Sequence, residues 1–223
     1  MRGLYAIVDV DSLDRRGLDP VRFASAVLTA KPAALQLRAK GALPRQVLGL
    51  LRELKCACRR AGVPLVANDR ADLAALVGCD MVHVGQTDAT VEQVRRIAPG
   101  VGVGISTHDL GQLEAALSER PAYVAYGPVF PTASKANPEP AVGLDGLAQA
   151  AQLARGRAPL VAIGGIGLEQ AESVARLADA AAVIGALLPP EGVQDPYATV
   201  AARAAALHAR LGGARASTLE ATA

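Results

Sequence analysis

The sequence contains few aromatic residues and almost no net charge. Tryptophan is absent, aromatic residues make up 3% of the 223 positions, and the formal net charge is only +2. Proteins that bind nucleic acid usually present a basic patch, and single strands are held by stacking on aromatic side chains. Because Lys and Arg are interspersed with Asp and Glu along the whole chain, we expect neither nucleic acid nor a membrane surface as a partner.

Long apolar runs and a disulfide framework are also lacking. No run is long enough to span a membrane, and Asp9 interrupts the first apolar run too early for the core of a signal peptide. Cys56, Cys58 and Cys79 are an odd number of cysteines. Side chains two apart on a helix diverge, which argues against a metal site at Cys56 and Cys58. We therefore expect buried or half-buried free thiols in a reducing cytoplasm.

The sequence does contain a regular alternation of short apolar runs with longer segments of helical period. The eight runs are 3–8, 34–37, 64–67, 81–84, 101–105, 122–126, 159–163 and 181–184. Helices are predicted near 20–30, 44–61, 70–77, 89–98, 108–119, 144–155, 168–178 and 195–211. Eight such units predict one α/β domain, a single (β/α)₈ TIM barrel over 1–211, rather than a doubly wound sheet. Residues 212–223 are expected to form a disordered tail.

Polar residues or glycines follow all eight apolar runs. In a barrel of this type the carboxyl ends of the strands carry the active site, so these positions are the candidate functional residues. They are Asp9, Arg38 and Lys40, Asn68 and Asp69, the segment 85–88, Ser106 and His108, the segment 131–143, Gly164 and Gly165, and Gly185. The pattern indicates one polar rim.

The second run ends in an amide and two cations that share one face of the strand. Gln36, Arg38 and Lys40 alternate with Leu37 and Ala39, and alternate residues of a strand point the same way. We expect the three polar side chains to converge on a phosphorylated ligand. The alternative is a solvated strand end with a surface ion pair.

Two carboxylates follow consecutive strands. Asp69 comes after the third run and Asp88 after the fourth, and neighbouring strands lie about 4.8 Å apart. Mg²⁺ is commonly held by one or two carboxylates together with substrate phosphates, so the pair predicts a magnesium site. As an alternative, each aspartate caps the helix that follows it.

Two further segments predict phosphate binding. Residues 131–143 form the longest break in the apolar pattern, and there Thr132 and Ser134 place hydroxyls beside the ammonium of Lys135. Gly164 and Gly165 after the seventh run, with Gly185 after the eighth, occupy the positions where this fold often binds phosphate through backbone N–H groups. A tight turn is the alternative role of the glycine pair.

The three histidines carry less information. Ser106 and His108 invite a hydrolase interpretation, but the segment lacks the small residue two positions beyond the serine that a nucleophile elbow requires. His83 is interpreted as a packing residue of a strand, and His208 as a solvated helix position.

Taken together, these segments resemble thiamine phosphate synthase. The resemblance is carried, in order, by Gln36-Leu-Arg-Ala-Lys40, Asn68-Asp69, His83-Val-Gly-Gln-Thr-Asp88, Gly104-Ile-Ser-Thr-His108, Gly127-Pro-Val-Phe-Pro-Thr-Ala-Ser-Lys135 and Ile163-Gly-Gly-Ile166. It implies a transferase of thiamine biosynthesis that joins 4-amino-5-hydroxymethyl-2-methylpyrimidine diphosphate to a thiazole phosphate, releasing pyrophosphate. The family's (β/α)₈ barrel agrees with the fold predicted above.

The resemblance also implies roles for individual residues. Arg38, Lys40, Ser106 and Lys135 would be catalytic, and with Gln36 and Asn68 they would bind the pyrimidine diphosphate. Asp69 and Asp88 would hold one Mg²⁺ per site. Thr132 and Ser134 would contact the thiazole phosphate, Gly164, Ile184 and Gly185 would cradle it by backbone, and Leu37, Ala39 and Ala133 complete the binding segments. The expected partners are these small molecules, and a homo-oligomer is left open.

Two positions depart from the family pattern. Ser134 stands where threonine is common and Gly185 where serine is common, so weaker thiazole phosphate affinity is expected. The alternatives are the related thiazole tautomerase, a non-catalytic phosphate-binding regulatory barrel, and another barrel enzyme acting on phosphosugars.

Overall fold

The structure is a computed structural model that describes residues 1–132 and 139–213, and its centre is a closed barrel of eight parallel strands. The strands are β1 (Gly3–Asp9), β2 (Ala34–Arg38), β3 (Leu65–Asn68), β4 (Met81–Val84), β5 (Gly102–Thr107), β6 (Tyr123–Tyr126), β7 (Leu160–Ile163) and β8 (Ala180–Val183). Each strand pairs with the next in sequence, and β8 closes on β1 with Ala182 opposite Tyr5. The predicted (β/α)₈ barrel is confirmed.

Helices alternate with the strands. They are α1 (Val10–Asp14), α2 (Pro20–Leu28), α3 (Pro44–Ala61), α4 (Ala71–Val77), α5 (Val91–Ile97), α6 (Leu110–Ser118), α7 (Gly143–Ala154), α8 (Ala171–Leu177) and α9 (Pro196–Gly213), with a 3₁₀ turn at Gly185–Leu187. The eight predicted helices lie where expected. The sequence pattern missed α1 and the 3₁₀ turn because one to one and a half turns are too short to establish a helical period.

The barrel strands separate two layers of side chains. The outer layer packs the strands against the helices and contains, for example, Leu35 and Leu37 of β2. The inner layer fills the barrel, and its buried apolar residues are Tyr5, Ala34, Val66, Tyr123, Ala125, Val161 and Ala180. Alternating strand residues belong to the two layers, as the period of two requires.

Two tyrosines are the largest fully buried side chains of the barrel interior. The rings of Tyr5 and Tyr123 meet at 58° with their centroids 5.7 Å apart. Gly104 of β5 makes room for this arrangement, since a Cβ there would lie 2.0 Å from Cζ of Tyr123. Two of the six aromatic residues, Tyr5 and Tyr123, thus lie inside the barrel, whereas Phe23 and Tyr126 pack in the outer layer.

Helix α9 continues to Gly213, so it extends beyond the predicted end at 211. The rest of the predicted tail, from 214 to 223, lies outside the described residues. Cys58 and Cys79 are buried free thiols as expected, whereas Cys56 is exposed on α3. In the ranges 1–132 and 139–213, no helix combines the length and apolarity that crossing a membrane requires.

Candidate active site

The polar rim begins at the end of β1 with an aspartate that holds an arginine. Asp9 is 4% exposed and caps α1, accepting hydrogen bonds from the Ser12 backbone N at 3.0 Å and from Ser12 Oγ at 2.5 Å. Its second carboxylate oxygen accepts a hydrogen bond from Nη1 of Arg38 in an ion pair. A paired guanidinium keeps its charge and direction at the barrel mouth. The sequence placed Asp9 on the rim but gave it no role.

Strand β2 presents its residues as the alternation predicted. Gln36 lies inside the barrel and is 2% exposed, while Leu37 and Ala39 pack in the outer layer. Lys40 is more exposed, and its Nζ lies 3.5 Å from Oδ2 of Asp69. Only Lys40 fits the solvated alternative, since Gln36 is buried and Arg38 is bound to a buried carboxylate.

The two carboxylates predicted to bind metal lie close to each other. Burial raises the pKa of Asp69, the negative charge of Asp88 raises it further, and the ammonium of Lys40 opposes both effects. Asp69 has a left-handed backbone (φ 62°), and Oδ2 of Asp88 accepts the Gly85 backbone N–H at 2.8 Å. Two like charges held together in a partly buried place favour a cation between them.

Neither carboxylate caps the helix that follows it. The N-cap residue of α4 is Arg70, which makes no side-chain capping bond, and α5 is capped by Thr90 with Gln93 completing a capping box. The two capping alternatives are therefore wrong. No group of three or more metal-ligating side chains occurs within 1–132 and 139–213. The pair offers the kind of oxygen ligands that Mg²⁺ commonly uses, one or two carboxylates together with waters and substrate phosphates.

A continuous series of hydrogen bonds crosses the barrel interior; we call it the interior chain. Gln36 Nε2 donates to the Tyr5 hydroxyl at 2.9 Å, and that hydroxyl lies 2.8 Å from the hydroxyl of Tyr123. His83 follows, with Nδ1 2.8 Å from the Tyr123 hydroxyl and Nε2 2.8 Å from Oγ of Ser106. The interpretation of His83 as a mere packing residue is wrong, since both ring nitrogens are bonded.

Ser106 and His108 do not form a nucleophile and base. Nδ1 of His108 donates to the Gly127 backbone carbonyl at 2.6 Å, which turns this ring toward the loop after β6. The histidine bonded to Ser106 is His83, whose other nitrogen meets a tyrosine hydroxyl instead of the carboxylate that orients the base of a hydrolase triad. The arrangement supports binding by Ser106 rather than attack.

The glycine pair after β7 allows the loop after β6 to approach closely. Gly164 and Gly165 have φ of 91° and 66°. A Cβ at Gly164 would lie 2.4 Å from Pro128 Cβ, and a Cβ at Gly165 would lie 2.5 Å from the Pro131 carbonyl oxygen. The Val129 backbone N donates to the Ile163 carbonyl at 2.8 Å across the same contact. The pair thus has a packing role of its own, beside any contact to phosphate.

The remaining predicted residues are placed unevenly. Asn68 ends β3 opposite His83, Thr132 is half-buried at the start of the long loop, and Ile184 with Gly185 opens the 3₁₀ turn after β8. Ala133, Ser134 and Lys135 lie outside the described residues. At Gly185 an added Cβ would meet nothing within 4 Å, so a serine would fit there.

Comparison with known proteins gives consistent matches over most of the chain. The profile of the family described as thiamine monophosphate synthase matches residues 4–187. The thiamine-phosphate synthase of Anaeromyxobacter dehalogenans is 43% identical over 209 residues, which cover 93% of this chain and 88% of that protein. The thiamine-phosphate synthase of Koribacter versatilis is 44% identical over 192 residues, which cover 83% and 88%.

A solved structure gives the same result for the fold. The thiamine phosphate pyrophosphorylase from Pyrococcus furiosus superposes with a TM-score of 0.78 at 28% identity, covering 94% of this chain and 97% of that one. The family resemblance found in the rim segments is confirmed by the profile, by close relatives and by this structure. The chain belongs to the thiamine monophosphate synthase family.

Proposed function

We propose that this protein is a thiamine-phosphate synthase, which transfers the pyrimidine group from its diphosphate to the ring nitrogen of a thiazole phosphate. The observation that carries the proposal is the pair Asp69 and Asp88 beside Lys40 at the rim, in a chain whose relatives bear this name. The products are thiamine phosphate and pyrophosphate. The substrates are small molecules, and the reducing cytoplasm is the place of action we propose.

Departure of pyrophosphate is the demanding step. The bond between the pyrimidine methylene carbon and the diphosphate oxygen breaks with its electron pair on oxygen, and the electron-rich aminopyrimidine ring bears the resulting positive charge. The thiazole nitrogen then supplies the pair for the new C–N bond. Cationic side chains near the leaving oxygens lower the barrier because preorganised charge in a dry site is usually the largest catalytic contribution.

The rim supplies such charge from fixed positions. Arg38 is held by the buried Asp9, and Lys40 lies 3.5 Å from Asp69. Lys135, outside the described residues, is proposed as a third cation on the long loop. Asp69 and Asp88 would hold Mg²⁺, which supplies further positive charge to the diphosphate oxygens when bound. Gln36, Asn68 and Ser106 are proposed to hold the pyrimidine.

The thiazole phosphate is proposed to bind on the opposite part of the rim. Thr132 and Ser134 would contact it from the long loop, and Gly164, Ile184 and Gly185 would offer backbone N–H groups. The tautomerase alternative uses neither a diphosphate nor a metal, so it gives no reason for two carboxylates to be held together. The synthase accounts for that pair.

Product formation by the purified protein tests the proposal. The protein is incubated with both substrates, first with Mg²⁺ and then with excess chelator, and thiamine phosphate is quantified. We expect product only with the metal. Asp72→Asn is a matched control for substitutions at Asp88, since Asp72 is an exposed aspartate paired with Arg70 on α4. Folded protein that makes no product in either condition would refute the synthase assignment.

A further inference from the structure

The interior chain joins two residues assigned to the pyrimidine site through three residues that have no assigned role. Its ends are Gln36 on β2 and Ser106 on β5, and its middle is Tyr5, Tyr123 and His83. A hydroxyl has one hydrogen and a neutral imidazole has one N–H, so a donor at one link decides the donor at the next. The position of one hydrogen in such a chain therefore fixes the positions of the others.

The direction follows from the Gln36 end. Burial raises the pKa of both Tyr5 and Tyr123 well above the usual value, so both hydroxyls keep their hydrogen at neutral pH. Because Gln36 Nε2 donates to the Tyr5 oxygen, the Tyr5 hydrogen is directed to the Tyr123 oxygen. The Tyr123 hydrogen is then donated to Nδ1 of His83.

The other half of the chain follows in the same way. With Nδ1 accepting, neutral His83 carries its hydrogen on Nε2 and donates it to Oγ of Ser106. The hydroxyl hydrogen of Ser106 is thereby left for a ligand. At the opposite end, Gln36 donates an N–H to Tyr5, and its side-chain carbonyl oxygen remains an acceptor for the ligand.

We propose that Tyr5, Tyr123 and His83 are positioning residues that couple the two ends of the pyrimidine site, so that Gln36 presents an acceptor while Ser106 presents a donor. The pattern suits an aminopyrimidine, whose amino group donates and whose ring nitrogens accept. The match to this ligand rests on the proposed function, whereas the coupling itself does not. Reversing the polarity at one end requires reversal through all three middle residues.

The packing around the chain holds its members in place. The rings of His83 and Tyr123 lie 14° from parallel with centroids 5.7 Å apart. The Tyr123 ring covers Gly104 so closely that a Cβ there would lie 2.0 Å from Cζ. A ring packed this closely keeps its hydroxyl in the interior chain, which is the condition for coupling across the barrel.

Nitrogen-15 NMR of the histidine side chains tests the direction in the wild-type protein. The protein contains three histidines, and two of them provide reference spectra for the two tautomers. His208 Nδ1 accepts the Leu4 backbone N–H at 3.4 Å, whereas His108 Nδ1 donates to the Gly127 carbonyl at 2.6 Å. We expect His83 to resemble His208, with its hydrogen on Nε2. A His83 with its hydrogen on Nδ1, or with both nitrogens protonated, would overturn the proposal.

A substitution at the far end tests the coupling. In Gln36→Glu at mildly alkaline pH, the carboxylate can only accept, so Tyr5 must donate to it and the whole chain must reverse. We expect the His83 hydrogen to move to Nδ1, and we expect Tyr5→Phe in the same background to abolish that change. Circular dichroism and the unchanged His108 and His208 resonances report that the fold is intact. If the His83 hydrogen stays on Nε2 in folded Gln36→Glu protein, the coupling is refuted.

Kinetics separate this inference from the proposed function. For Tyr5→Phe we expect KM for the pyrimidine diphosphate to rise about three- to tenfold, as loss of one hydrogen bond predicts, with kcat less affected. Tyr197→Phe on α9 makes the same change outside the barrel and is expected to leave both constants unchanged. If the wild-type protein has no synthase activity but shows the expected histidine tautomers, the proposed function is refuted and the direction of the interior chain is still supported. An unchanged KM in Tyr5→Phe contradicts the positioning role.

Discussion

The two faces of the barrel strands differ in chemistry. The outer face, turned to the helices, is mostly apolar and includes Leu35 and Leu37 of β2 and Leu65 of β3. The inner face of the same strands carries tyrosines, a histidine, an amide and a serine joined by hydrogen bonds. Neighbouring residues of a strand therefore lie in different surroundings, one against the helices and the next inside the barrel.

This difference shows how one barrel combines stability with recognition. The outer layer removes large apolar side chains from water, which is the main favourable contribution to folding. The inner face buries polar groups, which is acceptable only because they are bonded; no fully buried side-chain N or O atom in 1–132 and 139–213 lacks a partner. Substitutions on the two faces should therefore separate activity from stability.

The largest effect is expected at the rim. Asp88→Asn should lower kcat by about 10² to 10³, roughly 3 to 4 kcal/mol, because the amide cannot replace a carboxylate in holding Mg²⁺. The melting temperature should stay the same or rise, since Asp69 loses a repelling neighbour. Steady-state kinetics and thermal unfolding measure the two quantities. Near-normal turnover, or a loss equal to that of Asp72→Asn, contradicts the metal role.

Substitutions in the outer layer should lower stability and leave kcat unchanged. Leu147 on α7 is completely buried, and Leu147→Ala should lower the free energy of unfolding by roughly 2 to 5 kcal/mol. Its kcat, assayed at a temperature where the variant is folded, should match the wild type. Leu144→Ala on the same helix removes an exposed side chain and should cost less than about 0.5 kcal/mol. A kcat defect in folded Leu147→Ala would break the separation between the faces.

A smaller effect is expected where the inner face meets the rim. In Asp9→Asn, Arg38 loses its charged partner but keeps a hydrogen-bond acceptor of the same shape. KM for the pyrimidine diphosphate should rise about tenfold, because charge-assisted bonds are roughly twice as strong as neutral ones. Asp14→Asn, at an exposed position of α1, serves as the control. Equal KM values in the two variants would show that Arg38 needs no fixed carboxylate.

The smallest expected effect is an increase in affinity for the thiazole phosphate. Gly185→Ser introduces the hydroxyl common in the family, at a position where an added Cβ has no neighbour within 4 Å. One added hydrogen bond should lower KM for the thiazole phosphate about two- to tenfold. Gly185→Ala fits equally well without a hydroxyl and should leave KM unchanged. If both variants behave alike, the proposed phosphate contact after β8 is wrong.

Much of this architecture could be predicted from the sequence because it is encoded locally. Each strand is a short apolar run and each longer helix a period of 3.6, so the barrel and most element bounds followed from the residues themselves. The rim residues followed as well, since position after a strand fixes the end of the barrel. Helix α1 escaped prediction because its five residues resemble a loop.

The partners of the rim residues could not be predicted because they depend on how the barrel closes. Asp9 was visible after β1, but its pairing with Arg38 requires β1 and β2 to align in register with these two residues opposite each other. His83 looked like a packing residue because its neighbours Tyr123 and Ser106 are 40 and 23 positions away. The close packing of Gly164 against Pro128 likewise joins loops from two strands.

By itself the sequence determined the (β/α)₈ barrel, the polar rim and the family, because periodicity and motif order are properties of the chain. The tertiary structure decided which polar groups bond to which. Tyr5 and Tyr123 are 118 residues apart, and their hydroxyls meet only because eight strands close into a cylinder narrow enough for side chains to touch across it.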